Sequence, residues 1–166
     1  MKKNDTPKRH RFDGLLVVAV TGAISLLIAI AVPVGCALSL MGRYHRFVQD
    51  LGESLLYARE HGTLEIAIDG ETQPGQMEQA ERLYRLISDM GMGSPLGETP
   101  DEGALALSFG DGSVLRLFPT TINESDGTKV DGTIVSYTRS DGHVFSYDTD
   151  LFAYRNVVSD IMGSAG

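Results

Sequence analysis

The longest apolar stretch of the chain covers residues 14–41 and contains no charged side chain. A helix of ~20 apolar residues crosses the hydrocarbon core of a bilayer and satisfies its backbone hydrogen bonds internally. These 28 residues are long enough for that, so we predict a transmembrane helix over 14–41. The anchoring side chains are expected to be the large aliphatic ones: Leu15, Leu16, Val17, Val18, Leu26, Leu27, Ile28, Ile30 and Val32.

A second helical pattern follows directly and differs in having one apolar face. Within residues 43–60, apolar side chains recur at offsets 0, 3, 4, 7 and 11, namely at Tyr44, Phe47, Val48, Leu51 and Leu55. This spacing is typical of an amphipathic helix, and Gly62 stands where a helix often ends in a left-handed residue. We therefore predict a juxtamembrane helix over 42–62, with at most a short break from the first.

The rest of the chain alternates between strand-like and helix-like periods. The predicted elements are a strand over 63–69, a helix over 76–90, a hairpin over 104–118 that Pro119 ends, strands over 133–138 and 143–147, and a helix over 150–162 capped by Asp148 or Thr149. Residues 91–103 and 120–132 are polar or rich in Gly and Pro, which predicts loops. The order predicts an α+β domain over 63–166, with a mostly antiparallel sheet of about five strands and two to three helices.

The dipeptide Asp-Gly occurs five times, beginning at Asp69, Asp111, Asp126, Asp131 and Asp141. Calcium loops also use Asp and Gly in tight turns, but they need ligands at fixed spacing and a closing glutamate. With Gly127 in the invariant glycine position, Ile122 and Thr133 would fall on ligand places, so the spacing fails. The pattern instead favours turns between strands.

Charge divides the chain into two unlike parts. Residues 1–13 carry five basic side chains, Lys2, Lys3, Lys8, Arg9 and Arg11, against two acidic ones, whereas residues 42–166 carry 9 basic and 20 acidic ones. Lys and Arg are retained on the cytoplasmic side, which predicts a cytoplasmic tail over 1–13 and an extracytoplasmic domain. Such an acidic domain is a poor partner for nucleic acid, and we expect it to stand off anionic lipid.

The only cysteine, Cys36, lies inside the apolar stretch, so the domain has no disulfide. A basic segment followed by an apolar one also fits a cleaved signal, although a signal core is only ~7–15 residues long. A lipid-modified Cys36 is a further alternative, but Pro33 and the apolar residues after Cys36 fit that pattern loosely. All three alternatives place the domain outside the cytoplasm.

No catalytic signature emerges from the chemistry-bearing residues. The four histidines, His10, His45, His61 and His143, have no metal-ligand spacing, and the sequence lacks a Gly-x-Ser-x-Gly elbow. The sequence therefore predicts no catalytic residue, no metal site and no cofactor.

The succession LEIAIDGE, RLYRLISDMGMGSPL, LALSFGDGSVLRLF and YDTDLFAY, between Leu64 and Ile161, resembles small membrane-anchored extracellular domains of uncharacterised function in Gram-positive bacteria. The resemblance implies a location on the cell surface and carries over no functional residue. We expect a non-enzymatic protein-binding or accessory module whose partners are the bilayer and another membrane or envelope protein. The alternatives are an extracellular small-ligand-binding or sensing module and an envelope enzyme.

Overall fold

The computed structural model describes residues 10–68, 70–91, 94–97, 99–100 and 105–163. The chain forms two compact units, one up to Gly42 and one from Arg43 to Gly166. The elements in chain order are α1 (His10–His61), β1 (Glu65–Ile68), β2 (Glu71–Pro74), α2 (Met77–Asp89), β3 (Ser94–Pro95), β4 (Leu105–Ser108), β5 (Val114–Asn123), β6 (Lys129–Thr138), β7 (Val144–Thr149) and α3 (Tyr154–Gly163).

Helix α1 is a single element of 52 residues, which includes the described parts of both predicted N-terminal helices. It runs without interruption through Gly42, since one glycine costs a helix only ~1 kcal/mol relative to alanine. The helix ends as predicted at Gly62, which has a φ of 65°. The amides of Gly62 and Thr63 both donate to the Ala58 carbonyl, at 2.8 and 3.2 Å, and so close the last turn.

The predicted α+β class is confirmed. The described strands form one antiparallel sheet in the order β2-β1-β4-β5-β6-β7-β3. Strands β2 and β3 had not been predicted. Every side chain of β2 is exposed and β3 has only two residues, so neither has the alternation that reveals a strand.

The prediction that Pro119 ends a strand was wrong, and the predicted loop over 120–132 is shorter, because β5 continues to Asn123 and β6 begins at Lys129. Strands β5 and β6 pair continuously from Val114–Thr138 to Asn123–Lys129. The Glu124 amide donates to the Thr128 carbonyl, so the even-numbered residues of β5 direct their backbone groups toward β6. Pro119 therefore faces the other way, and its missing N–H breaks no hydrogen bond to β6.

Three hairpin loops share one construction and recur every 15 residues. Their central aspartates are Asp111, Asp126 and Asp141, and each accepts the backbone N–H two residues later, at 2.8, 2.8 and 3.0 Å. The following glycines have φ values of 89°, 86° and 83°, the left-handed conformation that closes a three-residue hairpin loop. The turn interpretation is confirmed at these positions. It was wrong for Asp131-Gly132, which lies inside β6.

Three helices and one face of the sheet share a single core. The predicted apolar faces of α1 and α2 are buried at Phe47, Leu51, Leu83 and Ile87, opposite sheet side chains such as Val135. Each such side chain contributes ~1.5–3 kcal/mol when it is fully buried. Phe47 is central, because its ring centroid lies 5.3–6.0 Å from those of Tyr137, Phe145 and Tyr147.

The last helix begins later than predicted. Helix α3 starts at Tyr154, and the Ala153 carbonyl accepts the first turn's amides from Asn156 and Val157. The Thr149 hydroxyl oxygen instead accepts the Leu151 amide at 3.2 Å. Thr149 therefore caps a turn between β7 and α3 rather than the helix itself.

Candidate functional site

The first candidate site is the apolar stretch of α1. Among its predicted anchoring residues, Leu26, Leu27, Ile28, Ile30 and Val32 are 57–66% exposed. Leu15, Leu16, Val17, Val18 and Arg11 lie within α1, their side chains outside the described part, whereas Lys2, Lys3, Lys8 and Arg9 precede the described residues. From Ser25 onward the helix contains a window of mean hydropathy 2.1 with no buried residue. Such a segment is compatible with a membrane anchor or a signal sequence.

The second candidate is a polar cluster between α1 and the sheet, formed by the buried Ser54, Ser113 and Tyr137 and the partly buried Asp111. The Ser54 hydroxyl donates to Asp111 Oδ2 at 2.6 Å and lies 2.8 Å from the Tyr137 hydroxyl. The Ser113 hydroxyl and amide both donate to Asp111 Oδ1, the amide at 2.8 Å. The cluster therefore joins α1 to the β4–β5 loop and to β6.

The electrostatics of this cluster favour an ionised aspartate and a neutral tyrosine. Burial acts to raise the pKa of Asp111, but the hydrogen bonds from Ser113 and Ser54 outweigh it, so the pKa lies below its ordinary value. Burial raises the pKa of Tyr137 despite its hydrogen bonds with the serines. The Tyr137 hydroxyl also reaches the Asp50 carbonyl at 3.2 Å. Each polar group of the cluster has a hydrogen-bond partner within the domain. The cluster is therefore arranged to hold α1 against the sheet.

The sequence did not lead us to predict this cluster, although one of its residues is a recognisable signal in the sequence. Ser54 lies on the core face of α1, three residues after Leu51 and next to Leu55. A hydroxyl at a core position needs a buried partner, so such a serine points to a polar network. The partners are 57 and 83 residues away along the chain, and no local pattern identifies them.

The third candidate is a groove of about 570 Å³ between α1 and α2. Its floor is mainly apolar, with Leu55, Leu56 and Tyr84, while Arg59 and Glu81 form an ion pair at its rim. Gly52 lets the helices approach here, because a Cβ at this position would lie 3.0 Å from the Tyr84 hydroxyl. Leu56 remains 52% exposed, so the groove presents apolar surface to solvent.

A smaller cleft of about 280 Å³ lies where β5 and β6 meet the start of α3. Thr120, Thr121 and Tyr154 contribute hydroxyl groups, and Arg155 pairs with Asp131 at 3.0 Å. Both charged side chains are more than half exposed, so the ion pair contributes little to stability. The cleft is nevertheless a polar recess with both signs of charge.

Two of the described histidines, His61 and His143, contact aromatic side chains. His61 donates its Nδ1–H to the Tyr57 carbonyl at 2.9 Å and stacks on the Tyr57 ring, while His143 contacts Phe145. Among the described residues, no group of three His, Cys, Asp or Glu side chains is placed to hold a metal ion. Cys36 is a free, exposed thiol on α1.

Comparison with protein-family models, with characterised proteins and with solved structures found no match to this chain. The fold and the exposed stretch themselves define the class of protein. It is an α+β domain joined to a long apolar helix.

Proposed function

We propose that the protein is a single-pass membrane protein whose residues 1–13 are cytoplasmic and whose domain from Arg43 onward is extracytoplasmic. The observation that carries the anchor is the exposure of Leu26, Leu27 and Ile28, which lie in an apolar stretch of α1 without a buried residue. Water solvates such a surface poorly, whereas lipid accepts it. The orientation is supported by the five basic residues before the apolar stretch.

Cysteine labelling tests this topology, because Cys36 is the only native thiol. In a Cys36→Ser background, a cysteine at Ser125, in an exposed hairpin loop, should react with a membrane-impermeant maleimide on intact cells. A cysteine at Thr6 should react only after permeabilisation. The reverse pattern contradicts the orientation. Release of the intact chain by alkaline carbonate, or a mature chain that has lost residues 1–41, contradicts the anchor.

The domain acts in this proposal as a non-enzymatic module that binds another membrane or envelope protein. The groove between α1 and α2 supports this role, since an apolar floor with a charged rim suits an amphipathic segment of a partner. The polar cluster of Ser54, Asp111, Ser113 and Tyr137 supports a non-catalytic role, because its hydroxyl groups form hydrogen bonds with one another and with Asp111.

Affinity purification from gently solubilised membranes tests the partner. Leu56→Glu places a charge in the groove, and Leu151→Glu is the matched control, because Leu151 is 65% exposed outside the groove. The wild type and the Leu151 variant should recover the same partner, and the Leu56 variant should lose it. Recovery of the wild type alone, or equal retention by both variants, contradicts the proposal.

The polar cleft beside α3 favours a second candidate function, the binding of a small extracellular ligand. Its hydroxyl groups and its Asp131–Arg155 pair are the few converging polar groups that such a site needs. In a screen of amino acids and sugars, a compound that binds in the cleft should then raise the melting temperature of the solubilised wild type but not that of Arg155→Gln. Equal shifts in both proteins contradict a site in this cleft.

A further inference from the structure

Among the described residues, only some of the basic side chains of the acidic domain form ion pairs. Ion pairs with described acidic residues occupy four of the nine: Arg59, Arg82, Arg139 and Arg155. Two of the others, Arg43 and Arg46, lie one helical turn apart on α1, are exposed, and form no ion pair with the acidic residues that the structure describes. They are also the first charged side chains after the apolar stretch.

Their orientation is fixed by the residue between them that points inward. Tyr44 is buried and donates its hydroxyl to the Ile87 carbonyl on α2. Burial, with smaller contributions from Tyr147 and Asp89, raises the pKa of Tyr44 to about 12, so the hydroxyl stays protonated and remains a donor. Because Tyr44 holds this turn of α1 against the core, Arg43 and Arg46 face solvent from a rigid element.

The length of the uncharged segment places these arginines at a defined depth in a bilayer. Its 28 residues span ~42 Å as a helix. A bilayer including its headgroups is ~40–45 Å thick. If the segment crosses the membrane, Arg43 reaches the headgroup layer on the side of the domain. The planar guanidinium group suits phosphate, which it can bind through two parallel hydrogen bonds.

We propose that Arg43 and Arg46 bind the phosphate groups of anionic lipids in the leaflet that faces the domain; this rests on the proposed transmembrane anchor. The remaining domain, residues 47–166, carries 7 basic and 20 acidic side chains and is repelled by the same lipids. Attraction between the domain and anionic lipids is therefore confined to the turn of α1 that carries Arg43 and Arg46. This refines the expectation from the sequence that the whole domain stands off the membrane.

The test uses the full chain reconstituted with its domain outward in phosphatidylcholine vesicles. Phosphatidylglycerol is added to the outer leaflet only, so that the basic residues of the segment 1–13 do not contribute. Association of spin-labelled phosphatidylglycerol is compared with that of spin-labelled phosphatidylcholine. The matched variants are Arg43→Gln/Arg46→Gln and Arg85→Gln/Arg116→Gln. Arg85 and Arg116 are likewise exposed and without ion pairs among the described residues, so both variants remove the same net charge.

The wild type and the Arg85/Arg116 variant should prefer phosphatidylglycerol, by about fivefold for each juxtamembrane arginine at low salt. The Arg43/Arg46 variant should lose that preference, and added salt should weaken it in the other two proteins. An unchanged preference in the Arg43/Arg46 variant, or an equal loss in both variants, overturns the proposal. Alkaline washing of the same vesicles separates the two hypotheses: retained protein without lipid preference refutes only the headgroup contact, whereas stripped protein refutes the anchor.

Discussion

The hydrogen-bonded cluster around Asp111 makes a quantitative prediction about how α1 is held on the sheet. Asp111→Ala removes the acceptor of three hydrogen bonds, from the Ser54 hydroxyl and from the Ser113 hydroxyl and amide. A hydrogen bond to a charged group contributes ~1.5–3 kcal/mol. The loss is smaller than the sum, because the two serine oxygens lie 2.7 Å apart and can bond each other. We therefore expect a loss of ~3 kcal/mol in the free energy of unfolding.

Ser54→Ala is the complementary change on α1. It removes one hydrogen bond to Asp111 and one partner of Tyr137, which keeps the Asp50 carbonyl at 3.2 Å. Alanine is the better helix former by ~0.5 kcal/mol, which offsets part of a loss of ~2 kcal/mol. The net expectation is a loss of ~1.5 kcal/mol. Because both changes break the same contact, the double variant should be less destabilised than the sum, with a coupling of ~1 kcal/mol.

Denaturant unfolding of the full chain in detergent, followed by the circular dichroism of its sheet and helices, measures all three variants. Ser125→Ala in an exposed hairpin loop is the control and should change the free energy of unfolding by less than ~0.5 kcal/mol. If Asp111→Ala costs no more than the control, the cluster does not hold α1 in place. If the effects of Ser54→Ala and Asp111→Ala simply add, the two residues do not act through a shared contact.

Three further predictions concern single sites. Gly110→Ala should destabilise the domain by at least ~2 kcal/mol more than Gly127→Ala in denaturant unfolding, because both have positive φ but only at Gly110 would a Cβ lie 2.3 Å from Thr63 Oγ1. The pKa of Asp111 is lower in the folded protein than in the unfolded chain, where it is ~3.9. The ionised Asp111 therefore stabilises the fold fully at a pH well above ~3.9, and this contribution is lost as the pH falls through the pKa of the folded protein. Acid titration should therefore show a shallower loss of stability in Asp111→Asn than in the wild type, and an unchanged slope would contradict this. Phe47→Ala should cost ~3–5 kcal/mol, and a loss below 1 kcal/mol would refute its central place in the core.

The helices could be predicted from the sequence because their signals are local. The offsets of Tyr44, Phe47 and Leu51 fix the buried face of α1, and Gly62 fixes its end. The core strands were recovered for the same reason, through alternation at Leu105 and Leu107. Strand β2 failed the same test, because an edge strand with four exposed side chains has no apolar period to detect.

The features that escaped prediction depend on register or on distant partners. Whether Pro119 ends a strand depends on which neighbour its nitrogen faces, and this follows only from the pairing of β5 with β6. The 15-residue recurrence of Asp111, Asp126 and Asp141 was visible in the sequence and would have predicted two ten-residue strands. The contact between Ser54 and Asp111 joins residues that are far apart in the chain, so no single-sequence pattern reveals it.

The order of the strands β4, β5, β6 and β7 in the sheet is also their order along the chain. Each of these strands meets its partner through a loop of a few residues, so most of the sheet can assemble with little loss of chain entropy. Helix α1 precedes all the strands in the chain, and the hairpins that cover its buried face are followed only by α3 among the described elements. A chain that emerges from N- to C-terminus therefore exposes Phe47 and Leu51 until β6 and β7 have been made, and this interval is when the protein is most open to aggregation or to chaperones.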